Sequence, residues 1–127
     1  MRQITIIVGV PNRVLSPNGR AHWRTKASAK KLARAHGMIA AGFALNGRPA
    51  PKWESATVVV RAWFKDKRSK WDRDNAISSL KGHVDGIADA GILSNDRGLK
   101  WGEVDLSGID KANPRVELTF THEEESR

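Results

Sequence analysis

The chain has 127 residues, enough for one domain with a modest core and too few for two. Apolar content is ordinary and no apolar run approaches a membrane span, while the absence of cysteine excludes disulfides and thiolate metal sites and suits a reducing cytoplasm. The net charge of +8 is unevenly laid out: residues 1–53 carry ten Lys or Arg and no Asp or Glu, and all fourteen acids lie from Glu54 onward. A half-chain of one sign makes a field that attracts phosphate backbones and is screened by salt, so nucleic acid is favoured as a partner over a charge that serves solubility alone.

Taken in chain order, "QITIIVGV" at 3–10 is β-branched and apolar and predicts a strand rather than a signal peptide. "PNRVLSPNGRAHW" breaks the pattern with loop chemistry. Lys26 to about Leu45 favours helix, with Leu32, Ala35, Ile39 and Phe43 on one stripe and Lys26, Lys30 and Arg34 opposite. "ATVVVRAWF" at 56–64 is the strongest strand, followed by the basic loop "KDKRSKW". A second helix is predicted from about Asp74 to Ala90, with Ile77, Leu80, Val84, Ile87 and Ala88 as its core stripe and Gly91 as a left-handed cap. "LKWGEVDL" and "PRVELTFT" predict two final strands, and Val116, Leu118 and Phe120 share one face of the second. The order β-α-β-α-β-β predicts a single two-layer α/β (α+β) domain over residues 1–122, helices packed on a mixed sheet, with a disordered acidic tail at 123–127.

Within "KWDRDNAISSLK", Asp72 and Asp74 fall where the central strand hands over to the second helix, and Asp96 follows that helix. Magnesium takes oxygen ligands and often binds through few carboxylates plus water and substrate phosphate, so three acids from two segments suit it. Such an ion polarises a phosphodiester and activates water. Lys81 stands two helical turns after Asp74, on the same face as Ser78 and Asp85, where its charge suits a phosphate near the metal. Each residue has a plainer reading. Asp74 also suits a helix cap, Asp96 a turn, and Lys81 a solvated partner of Asp85.

Other features are weaker. His22, His36, His83 and His122 show no metal-ligand spacing, and His83 reads as a packing or surface histidine. No Gly-rich phosphate loop supports nucleotide binding. Trp53, Trp63 and Trp101 suit the core or its edge, whereas Trp23 and Trp71 sit in basic loops where an indole stacks on a base or packs on the sheet edge. Gly82 and Gly86 on the second helix predict a close approach, by the first helix or a second subunit.

The stretch "DRDNAISSLKGHVDGIADAGILSND" resembles the central motif of the RusA family of Holliday-junction resolvases, often carried by phages and prophages. The upstream "LSPNGRAHWRTKASAKKLAR" is similar to that family's N-terminal segment, and the resemblance spans residues 4–121. It implies a homodimeric, Mg2+-dependent endonuclease, with Mn2+ able to substitute, that resolves four-way DNA junctions by paired nicking in recombination and repair. Carried over, Asp72, Asp74 and Asp96 match the metal-binding carboxylates and Lys81 the helix lysine. The chain has Asn95-Asp96 where the family often has Asp-Asp, and its lysine stands seven residues after the second aspartate where some relatives place it four after. Arg20, Arg24, Lys26, Lys30, Lys67, Arg68, Lys70 and Arg73 are then the candidate DNA contacts. The alternative is a non-catalytic phage DNA-binding accessory protein of the same fold, which explains the charge but gives no reason for three acids to converge.

Overall fold

The structure, a computed structural model, describes residues 2–11, 23–67 and 71–122, apart from the side chain of Asp96. The expectations at Arg20, His22, Arg68 and Lys70 and for the acidic tail lie outside the described residues. The elements are β1 (Gln3–Val8), α1 (Trp23–Leu45), β2 (Ala56–Phe64), α2 (Arg73–Asp89), a 3-10 turn (Asp96–Gly98), β3 (Leu99–Ile109) and β4 (Arg115–Thr121). This is the expected order. The strands form one mixed sheet, β1-β4-β2-β3, with β2 and β3 parallel and the other pairs antiparallel.

Alternation in the strands decides which face is covered. Ile4, Ile6 and Val8 of β1, Val58, Val60, Ala62 and Phe64 of β2, and Val116, Leu118 and Phe120 of β4 are all buried. They meet Ala41 and Leu45 of α1 and Leu80, Val84 and Ile87 of α2 in one core. The other sheet face is left half-open, and there the Arg115 guanidinium lies 4.2 Å from the centre of the Trp63 ring. Two irregularities shift the β2–β3 register, between Val58 and Val60 and between Arg61 and Trp63, so β3 is longer than the sequence pattern predicts.

The helices meet through small residues. The buried line of α1 is Ala33, Gly37, Ala41 and Leu45, at spacings of four. A side chain at Gly86 would collide with the backbone of Arg34, and one at Gly37 with the backbone of His83. The close approach expected at Gly82 and Gly86 is therefore made by α1. Packing this tight selects the stripe with the least bulk. The stripe of Leu32, Ile39 and Phe43 does exist, but it faces away from the core, and Phe43 is 82% exposed. In α2 the apolar stripe packs inward as expected, with Leu80, Val84 and Ile87 buried and Ile77 half-buried. Gly91 has φ +94 and Ile92 behind it is fully buried, which is the expected left-handed cap.

Candidate functional site

The start of α2 is set by Asp72, not Asp74. Asp72 is the N-cap: its Oδ1 accepts the backbone N–H of Asn75 at 2.8 Å and its Oδ2 the Asn75 side-chain amide at 3.3 Å. Asp74 lies in the first turn and is exposed. Both carboxylates sit where the helix dipole favours negative charge. Arg73, between them, donates through Nη2 to the carbonyls of Trp101 at 3.3 Å and Gly102 at 3.2 Å. Those carbonyls lie at the start of the first irregularity of β3, so Arg73 fastens the head of α2 to the edge strand.

Two clefts that share residues lie farther along α2, from Ser78 onward. The first, about 460 Å³, is lined by Lys30, Lys31 and Arg34 of α1 and by Ser78, Ser79, Lys81, Gly82 and Asp85 of α2. Asp74 stands one turn before Ser78 on the same helical stripe. Lys81 and Lys30 are thus brought together, and they are joined by Lys31 and Arg34, which were not singled out as contacts from the sequence. The cleft exists because Gly82 and Gly86 let α1 come close, and the long cations of α1 stand over the seam.

The second cleft, about 340 Å³, shares Arg34 and Asp85 with the first and adds Ala88, Asp89, Ser94 and Asn95. Arg34 grips Asp89 through two hydrogen bonds, one of them from Nη2 to Oδ1 at 2.8 Å, and this holds the Asp89 carboxyl below its ordinary value. Asn95 Oδ1 accepts the N–H of Arg97 at 2.9 Å and opens the 3-10 turn that begins at Asp96 and packs against α2. The chain therefore folds back along α2 and carries the backbone of Asp96 to its flank, while the Asp96 side chain lies outside the described residues. Asp85, at the junction of the two clefts, is the residue that sequence reasoning undervalued. Its place on the 74/78/81/85 stripe was the available signal.

Among the described side chains, no three acids or histidines come close enough to share a metal ion. Asp72 and Asp74 present exposed carboxylate oxygens, and Asp72 keeps lone pairs beyond its two capping bonds. Carboxylate oxygen is the donor type that a hard divalent ion takes, the rest of its shell being water and substrate oxygen. The remaining expected contacts differ in their engagement. Lys67 is exposed and Lys26 half-buried, while the Arg24 guanidinium lies 5.2 Å from the centre of the Trp23 ring. Trp71 packs edge-on to Phe64, with ring centres 6.0 Å apart, so it serves the sheet edge. His83 is a packing residue, 5% exposed, whose pKa is pushed down to about 4 by burial and then by the charge of His36.

No family model matches the chain. Over 81 residues it is 35% identical to an uncharacterised protein of Xylella fastidiosa (strain Temecula1 / ATCC 700964), a match that covers 63% of this chain and 52% of that protein. The chain thus spans about half the length of that relative. Among solved structures it is similar to the periplasmic domain of MotB, with a TM-score of 0.43 and 14% identity, over 97% of this chain and 65% of that one. No helix among the described residues is long and apolar enough to cross a membrane. Function rests on the chain's own residues.

Proposed function

We propose that the protein is a divalent-metal-dependent endonuclease for branched DNA, a cytoplasmic homodimeric junction resolvase of the RusA kind. The observation that carries this reading is the layout of α2. A carboxylate pair at its head leads, one turn on, into a cleft lined by Lys30, Lys31, Arg34 and Lys81. In this reading Asp72, Asp74 and Asp96 would hold Mg2+ or Mn2+. When bound, such an ion would supply Lewis acidity toward a scissile phosphodiester and its attacking water. Lys81 faces the same phosphate and offsets charge that grows on it. The α1 cations hold neighbouring phosphates in register, which is a salt-sensitive contribution without sequence content.

The test is cleavage of a labelled four-way junction with Mg2+ or EDTA, for the wild type, Asp74→Asn and Asp72→Asn. Asparagine caps a helix nearly as well as aspartate, so Asp72→Asn removes charge and keeps the fold. Paired nicks that require Mg2+ and fall at least a hundredfold in both variants, with junction binding kept, are the expected outcome. Loss of binding in step with activity would sink the metal role.

A non-catalytic DNA-binding protein is the second reading. It is favoured by the engagement of both Asp72 oxygens in capping, which gives that residue a structural use without metal. Salt-dependent junction binding with no nicks over several junction sequences would establish it.

A further inference from the structure

The side of α1 turned away from α2 has a different chemistry. Residues 3–11 and 35–45 contain no Lys, Arg, Asp or Glu, although the half-chain around them carries ten cations. The fold brings these two stretches together. A cleft of about 650 Å³ between β1 and α1 is lined by Ile7, Val8, Ile39, Ala40, Phe43 and Ala44, among others. Leu32 continues the same helical stripe toward the N-terminus. Ile7, Leu32, Ile39 and Phe43 are each more than half exposed. Burial of such side chains is the main favourable term in folding and association, and among the described residues nothing covers them here.

We infer that this face, α1 together with the outer edge of β1, is where a second copy of the chain docks. It gives the homodimer of the proposed function its surface, and rests on that reading only for the expectation that two copies meet. Three observations choose a second copy over other occupants. The first is the strand: among the described residues β1 ends the sheet, paired on one side with β4, so its other edge is self-complementary to an antiparallel copy across a two-fold axis. Pairing β1 with its copy lays the apolar stripe of one α1 beside the other. The second is charge. A chain of net charge +8 repels its own copies except over an uncharged surface, and this face has that character. The same lack of cations unsuits it to a phosphate backbone. The third is area. The four large side chains expose on the order of 500 Å², as much as the largest apolar patch of a typical monomer, and flanking alanines and the strand edge bring it toward the roughly 800 Å² that each partner buries in a standard dimer.

Sedimentation velocity over a micromolar concentration series tests the surface. The wild type is expected at twice the 14.0 kDa chain mass. Phe43→Asp and Ile39→Asp are expected to sediment as monomers with unchanged circular dichroism, because both side chains are exposed in the single chain. The milder Phe43→Ala is expected to weaken self-association about 30-fold, the usual loss for an interface anchor. Ile109→Asp, on the opposite edge strand, is the control and should remain a dimer. A wild type that stays monomeric, a Phe43→Asp that stays dimeric, or an Ile109→Asp that dissociates would each overturn the assignment. Junction cleavage, scored separately, tells this failure from failure of the nuclease reading. A dimer broken by Phe43→Asp but inert on junctions keeps the surface and sinks the activity. A monomer that cleaves does the reverse.

Discussion

Helix α1 has two solvent-facing flanks, and they are opposites. Toward α2 it presents Lys30, Lys31 and Arg34 over a seam of glycines. Toward β1 it presents Ile39 and Phe43 over a strand edge with no charge at all. Both flanks belong to the half of the chain that has no acid, so the net charge of that half describes neither. Three of its cations, Lys30, Lys31 and Arg34, stand on one side of this helix, and the other side carries apolar side chains. Between the flanks runs the small-residue line of Ala33, Gly37 and Ala41, which fixes the helix rotation and hence which chemistry faces which way.

The largest effect on this arrangement comes from breaking the small-residue seam. Gly86→Val puts a branched side chain into the backbone of Arg34. It should cost about 3 kcal/mol in urea unfolding and splay the charged cleft, lowering junction affinity and leaving the apolar flank intact. Next is pH. His83 sits buried at the helix contact, its Nδ1 without a hydrogen-bond partner among the described residues, and its folded pKa is lowered from 6.5 to about 4. The unfolded chain takes up this proton more readily than the folded one, so stability is complete above pH 6.5 and falls as pH drops toward about 4. The loss over that window is on the order of 3 kcal/mol at most, and denaturation of His83→Leu as a function of pH should show that segment of the profile flattened. The smallest effect sharpens the contrast between the flanks. Lys31→Ala should lower the slope of log affinity against log salt for junction binding by about one, whereas Phe43→Ala should leave the slope unchanged. Equal slopes for the two variants would erase the distinction drawn here.

Much of the fold was legible. β2 was read with its observed bounds, the alternation in β4 gave its buried face, and Gly91 announced the end of α2. Those features are local, set by periodicity and by the backbone demands of one residue. The orientation of α1 was harder to read. Its bulky stripe is the stronger hydropathy signal, yet Ala33, Gly37 and Ala41 face inward because the glycines of α2 reward close approach more than bulk does. That preference belongs to the pair of helices and shows in neither alone, although small residues spaced by four opposite Gly82 and Gly86 were the available clue. Asp72 and Asp74 were legible as a pair at the helix head, but their division of labour was not, since capping depends on which residue leaves helical geometry first. The tertiary bonds of Arg73 were not legible, because they reach carbonyls 28 and 29 residues away.

The irregularities in β3 have a consequence for how far a sheet of this kind can grow. The β3 edge is kinked at two places, carries Glu103 and Asp105 among its exposed residues, and is tied to α2 by Arg73. An edge broken and charged in this way is a poor template for another strand. The β1 edge is short, regular and uncharged. Sheet extension is therefore one-directional, and an extension that joins β1 to β1 consumes the permissive edge of both copies at once. If two copies join in the way inferred above, growth would stop at two, and the kinked, charged β3 edge would act as a terminator against fibrous stacking.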